Sequence, residues 1–454
     1  MSTPLKPGEC KPPDRSGAVP GARWAVFLLI AISLFNYIDR QVLAAVVPYV
    51  REAFFAHGTP HGFAGWLVGL LQPLLGAKPE NAMIGLLAMA FMVTYMVLAP
   101  LFGLLRIKRW WIIGFGVVLW TIASGASGLA MTFGALLLTR CFVGVGEAAY
   151  GPVAPDIISD LYPASQRGKV LSWFYMAIPV GSALGYVLGG LVASTLGWRW
   201  AFYAVVPPGI LLGLWSLFMR DPKRGNADAM KDSSAESHKA SLKDYKRFLK
   251  NKSYVLCTLG GTAMTFAIGG IAFWIPDYIH EFRGVANLAQ VNLTFGLILV
   301  VSGLLGTLAG GMIGDKLKAR YSGSYFLVSG AAMIVAFPFF VAMLYVPFPW
   351  AWVCIAIGCF CLFFNTGPSN AILANVTHPA LRASAFALNI LVIHAFGDVI
   401  SPLVIGAITD ATGKNMNIAF LVVSVLVLVG GIIWLFGAKH LARDEQRALD
   451  QLKD

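Results

Sequence analysis

The chain has 454 residues, of which 57% are hydrophobic and only 12% charged, with a formal net charge of +12. Soluble domains carry roughly 25% charged residues, so this composition excludes an ordinary water-soluble globule. Six cysteines (Cys10, Cys141, Cys257, Cys354, Cys359 and Cys361) have no metal-site or disulfide-framework spacing and read as small packing residues.

Residues 1–22 are polar and rich in Pro and Gly, without a secretory leader pattern, and read as a disordered tail. Crossing a hydrocarbon core of about 30 Å takes roughly 20 apolar residues per helix. Twelve such segments follow, at 24–50, 82–105, 110–130, 133–159, 168–194, 199–219, 253–281, 290–313, 323–345, 350–374, 383–409 and 416–437. The pattern predicts an all-α membrane protein; a β-barrel would show alternating ten-residue strands instead. The expected organisation is a tail (1–22), a six-helix half (23–219), a cytoplasmic linker (220–252), a second six-helix half (253–437) and a tail (438–454).

Segment one carries Asn36, Tyr37, Asp39 and Arg40 in an otherwise apolar run. A charge near mid-membrane costs at least roughly 3 kcal/mol, so such residues usually face a water-filled cavity and a partner. The connection 51–81 contains GFAGWLVGLLQPLLG, too short and interrupted to span; it reads as an interfacial helix or as a lid. Segment four carries Arg140 and Glu147 on one helical face. At 1.5 Å per residue, Asp39 lies roughly 22 Å from the inner edge and Arg140 roughly 10 Å below the outer edge, nearly the same layer. Side chains lean toward the helix N-terminus, so Glu147 is expected to reach back toward Arg140.

Segment five has a glycine stripe at Gly181, Gly185 and Gly189, and segment eight has another at Gly306 and Gly310. Both are expected to pack one half against the other. The linker ends in SLKDYKRFLKNK, an amphipathic run suited to the membrane surface. Segment ten adds Asn365 and Asn370, and segment eleven adds Asn389, His394 and Asp398. His394 and Asp398 share a face; they serve either as a proton carrier or as a hydrogen-bonded packing pair, and each asparagine as interhelical glue or ligand.

Of the 34 Lys and Arg, 27 fall in the tails and the loops on one side. The positive-inside rule places both termini in the cytoplasm. The positive charge then reflects attraction to anionic lipid heads rather than nucleic-acid binding.

The stretch TRCFVGVGEAAYGPVAPDIISDLYPASQRGKVLSWFYMAIPVGSALGYVLGG, followed by GWRWAF, resembles segments four to six of the major facilitator superfamily and, within it, of the Spinster branch. LFNYIDRQVLAAVVP, GGIAFWIPDY and HAFGDVISPLVIGAITD match that branch as well, so the resemblance covers nearly the whole chain outside the tails. It implies the major facilitator fold, with twelve transmembrane helices in two pseudo-symmetric halves that alternate access, and lysolipids or sphingoid phosphates as substrates. Superfamily members usually carry G-x-x-x-D-R/K-x-x-x-R/K after segments two and eight. The second copy is intact as Gly311, Asp315, Lys316 and Arg320, which the resemblance makes gate residues. The first reads GLLRIKRWW from Gly103 and lacks the aspartate, so an acidic latch is missing there unless the basic run Arg106, Lys108 and Arg109 compensates by holding lipid or the cytoplasmic helix ends.

These readings converge on a secondary active transporter in a cell membrane, monomeric and without cofactor. Its expected partners are protons, membrane lipids and an amphipathic anionic small molecule or lipid. Burial favours the neutral form of a carboxylate and a neighbouring arginine favours the charged form, so moving an arginine can load or unload a proton. The proton-coupling candidates are Asp39, Glu147, His394 and Asp398; the substrate-binding candidates are Arg40, Arg140, Asn36, Tyr37, Asn365 and Asn389. Arg140 has the planar fork suited to a phosphate or carboxylate. The alternatives are a structural ion-pair network, a sugar-acid type proton symporter, or a receptor on the same framework. An enzyme is not expected, because no nucleotide loop, metal-spaced cluster or nucleophile with a base is present.

Overall fold

The computed structural model describes residues 21–56, 58, 62–76, 78–105, 107–222, 248–378 and 381–450. The N-terminal tail up to residue 20, residues 223–247 with most of the run SLKDYKRFLKNK, and Arg106 lie outside the described residues.

Twelve helices among the described residues are long and apolar enough to span a membrane. The first six are Ala22–Ala45, Glu80–Phe102, Arg109–Leu129, Phe133–Leu161, Lys169–Leu196 and Trp198–Leu217. The second six are Lys252–Phe282, Leu288–Lys318, Ser324–Ala342, Trp350–Asn375, Ser384–Ala411 and Met416–Ala448. Their outward faces expose large apolar side chains such as Phe115, Leu211, Leu308 and Phe436, which suits lipid rather than water. Helix starts follow local chemistry. The side chains of Thr132, Asn251 and Asn287 accept bonds from the backbone N–H of Ala135, Tyr254 and Gln290, satisfying donors that have no partner within the helix. The seventh and eleventh spans each loosen into a π-turn, at Tyr278–Phe282 just past Pro276 and at His394–Asp398 where Gly397 is non-helical.

The two halves repeat one packing pattern. In the first, span one packs on five and six, two on four, and three on four and six; in the second, seven packs on eleven and twelve, eight on ten, and nine on ten and twelve. Adding six to each number of the first set generates the second. The same operation relates the two seams between the halves, where span five packs on eight and span two on eleven.

The glycine stripes do not lie at those seams, contrary to expectation. Gly181 faces Leu34 and Tyr37, Gly185 faces Ile38 and Gln41, and Gly189 faces Val42 and Ala45, all on span one. Gly306 and Gly310 face Phe360, Phe363 and Phe364 on span ten. Each stripe therefore closes helices within a half. The glycines at the seams include Gly190 against Asn292, Gly296 against Ala183, Gly85 against Pro402, and Gly406 against Asn81.

The long connection after span one continues as a helix over Val47–Phe55, started by Pro48, and then forms a second helix over Phe63–Leu75. This second helix touches spans four and eleven and buries Ala64 and Val68. Phe63, Trp66, Leu70 and Leu74 stay exposed along the opposite side, the pattern of an interfacial helix.

Candidate functional site

Span one presents Asn36, Tyr37, Asp39 and Arg40 within little more than one turn, so they point to different neighbours. Tyr37 and Arg40 are three residues apart and share a face, with the guanidinium 4.9 Å from the Tyr37 ring centre. Phe91 and Tyr95 of span two supply two more rings at 5.1 Å each. Arg40 Nε donates to Glu147 at 2.6 Å; the arginine side chain is 18% exposed, whereas that of Glu147 is fully covered. A cation boxed by rings and one carboxylate is held without losing its access to open space.

Asp39 faces the other way, toward span three. It accepts a bond from the Ser124 hydroxyl, and its second oxygen has no hydrogen-bond partner among the described residues. It lines a small cavity between spans one, three and six with Phe35, Trp120, Thr121, Gly209 and Leu212. Arg140 approaches the same stripe of span three, donating to Ser127 at 3.0 Å, and its guanidinium lies 5.4 Å from the ring centre of Phe202. Ser127 in turn exchanges a hydrogen bond of 2.8 Å with Thr139. Arg140 is 2% exposed, so it sits in the wall rather than on the open face.

Two arginine and carboxylate sets thus exist, and Glu147 belongs with Arg40 rather than with Arg140. The rotation of span one decides this, because it turns Arg40 toward spans two and four and Asp39 toward span three. Phe91, Tyr95, Ser124 and Ser127 were not singled out in the sequence. The three-residue spacing of Thr121, Ser124 and Ser127 on span three was the available signal, since it lays hydroxyls along one helix face.

In the second half, His394 Nδ1 lies 2.9 and 3.0 Å from the two oxygens of Asp398 across the π-turn. Both side chains are partly exposed. Asn389 accepts from Thr258 at 2.8 Å, and Asn365 donates back to Cys361 at 2.9 Å; both are buried and bonded within that half. Asn36 is buried, while Asn370 donates to Thr366 of its own helix.

At the end where the first span begins, the gate candidates occupy the tip of span eight. Asp315 accepts from the Tyr325 hydroxyl at 2.8 Å, Lys316 and Arg320 are exposed, and Gly311 lies against Gly367 of span ten. The motif without an aspartate is braced differently. Arg109 is buried and donates to Asp156 at 2.9 Å, Asp160 at 2.5 Å, Asp221 at 3.0 Å and the Pro222 carbonyl at 2.7 Å. Span four and the loop after span six supply the acids that the local sequence lacks. Lys108 lies over the Trp111 ring.

The sequence profile of the Major Facilitator Superfamily matches residues 29–397. Protein spinster homolog 3 of Danio rerio is 33% identical over 456 residues, covering 93% of this chain and 86% of that relative. A relative named sphingosine-1-phosphate transporter SPNS2, also of Danio rerio, is 30% identical over 451 residues, covering 92% and 84%. Among solved structures, a bacterial homolog to the human lysosomal transporter Spinster, in an inward-facing and unoccupied conformation, is similar with a TM-score of 0.76 and 20% identity, over 94% of this chain and 99% of that one. The profile match, the length of the shared sequence and the doubled six-helix packing agree: the chain belongs to the major facilitator superfamily, in its Spinster branch, and is a transporter rather than an enzyme.

Proposed function

We propose that the chain is a secondary active transporter working by alternating access, coupled to protons, for an amphipathic anion such as a lysophospholipid or sphingoid phosphate. The observation that carries this reading is the Arg40 to Glu147 pair, a charge pair joined at 2.6 Å whose arginine keeps contact with open space. A fully sealed pair gains little, since desolvation offsets the attraction; a pair with one exposed member can exchange partners. An anionic head group arriving at Arg40 competes with Glu147 for the guanidinium fork. Glu147, relieved of its cation in a buried place, then takes up a proton. Release of the anion returns Arg40 to Glu147 and expels the proton, so cargo and proton movements are linked. Asp39 with its free oxygen, and His394 with Asp398, are the further proton-handling groups of this scheme.

The sphingosine-1-phosphate named for one relative supports an anionic lipid as cargo. The rings of Tyr37, Phe91 and Tyr95 surround the Arg40 guanidinium, which suits an apolar chain behind the head group. The one-sided distribution of Lys and Arg supports cytoplasmic termini in a cell membrane. The test is uptake into proteoliposomes under an imposed pH gradient, with lysophospholipid, sphingoid phosphate and a sugar acid offered separately. Gradient-driven uptake of a lipid anion is expected. Uptake of the sugar acid alone, or lipid uptake indifferent to the gradient, rejects the reading.

A further inference from the structure

The second span begins without a cap of its own. Its N-cap residue is Pro79, which has no side-chain oxygen to accept the N–H groups of the first turn. The Glu80 N–H turns back to the Lys78 carbonyl, and those of Asn81 and Ala82 are satisfied from the other half of the molecule. Asp410, at the far end of span eleven, accepts from the Asn81 backbone N–H at 3.2 Å, the Ala82 backbone N–H at 2.8 Å and the Asn81 side chain at 2.7 Å. Asp410 and Asn81 are both buried. The same Asn81 continues the network, because its Oδ1 accepts from Arg51 at 3.0 Å. Arg51 grips Asp277, at the end of span seven, with bonds of 2.8 and 2.5 Å to its two oxygens. Lys414 adds a bond of 2.8 Å to Glu80 at the rim.

Residues of span two and of the helix after span one thus meet residues of spans seven and eleven, all at the end away from the chain's first and last helix termini. Gly85 against the Pro402 backbone and Gly406 against the Asn81 backbone let the two helices approach closely enough for these bonds to form. The other seam at this end is neutral: Asn292 donates to the Ala45 carbonyl at 3.1 Å and packs on Gly190.

We propose that Asp410 is a helix cap supplied in trans, and that Asp410, Asn81, Arg51 and Asp277 form the latch that closes this end of the transporter. Opening the end separates span two from span eleven, which removes the acceptor that holds the first-turn N–H groups of Asn81 and Ala82. Opening and loosening of the first turn of span two are therefore one event. An aspartate fits this position better than an asparagine. A carboxylate offers oxygen in every direction toward three donors and a positive helix end, whereas an amide turns an NH2 toward one of them.

The test uses the full chain in lipid nanodiscs, with its six native cysteines replaced and spin labels at Met131 and Tyr345. These two exposed residues lie in loops of opposite halves at the latched end. Distance distributions are measured together with hydrogen exchange of the backbone over 80–86. Asp410→Asn is expected to raise the long-distance population about tenfold relative to wild type, and to speed exchange at Asn81 and Ala82 at least tenfold. Lys318→Ala, which breaks a 2.6 Å pair with Glu445 within one half and at the other end, serves as control and is expected to change neither. Unchanged distances in both Asp410→Asn and Asp410→Ala overturn the latch. Longer distances with unchanged exchange at Asn81 and Ala82 overturn the cap. If the Asp410 variants do not fold, Arg51→Gln must raise the long-distance population at least threefold, and a wild-type distribution there overturns the proposal.

Discussion

Arg40 and Glu147, 107 positions apart in the chain, form a 2.6 Å ion pair between spans one and four, with Tyr37, Phe91 and Tyr95 around the guanidinium. The pair joins a residue that reaches open space to one that does not, and the consequences for transport follow from that difference.

Glu147→Gln keeps size and hydrogen bonding but cannot ionise. It should abolish uptake driven by a pH gradient while leaving the affinity for substrate within about threefold. Uptake in proteoliposomes at several imposed gradients measures this. A gradient dependence equal to wild type removes Glu147 from coupling.

Arg40 and Arg140 should separate kinetically. Arg40→Lys keeps the charge but loses the planar fork, and is expected to raise KM for an anionic substrate about tenfold, or about 1.4 kcal/mol. Arg140→Lys lies in the wall against Ser127 and Phe202 and should change KM less than threefold while slowing turnover. Initial rates over a range of substrate concentration distinguish the two, and the reverse ranking would transfer the head-group contact to Arg140.

Removing Arg109 leaves three carboxylates without their shared cation at one end of the first half. Arg109→Gln should destabilise the protein by about 3 kcal/mol, because breaking a buried pair costs far more than the pair is worth intact. Thermal unfolding in detergent, compared with Asp315→Asn, gives the measure. Asp315 is exposed and bonded to Tyr325 alone among the described residues, so its variant should melt close to wild type. A wild-type melting point for Arg109→Gln would show that the acids tolerate one another in water.

Gly185 faces the Ile38 backbone and Gln41 on span one, where a Cβ would fall inside normal contact distance. Gly185→Val should force spans one and five apart and displace Tyr37 and Arg40 with them. Loss of both folding yield and substrate binding is expected from Gly185→Val. The control is Gly311→Ala, since nothing lies within 4 Å of a Cβ there. Normal binding by Gly185→Val would mean that the site does not depend on this close approach.

The sequence by itself determined twelve spans and the two halves, and led to the expectation that Asp39 and Arg140 lie in nearly one layer, with Glu147 two turns deeper. Hydropathy and the 1.5 Å rise are local quantities, so a run of apolar residues fixes both the presence of a span and the depth of each charge along it. The intact loop motif and the family resemblance were legible for the same reason, being written in consecutive residues. Tertiary structure alone decided the partners. Successive residues turn about 100° around a helix, so which neighbour Arg40 meets depends on how span one is rotated and on which span lies beside it. That rotation gave Glu147 to Arg40 rather than Arg140, and the rotations of spans five and eight set the two glycine stripes inside the halves. Arg109 found its acids on span four and in the loop after span six, and Asp410 capped a helix that begins 330 residues earlier, because a carboxylate's partners are chosen by proximity in space and not by spacing in the chain.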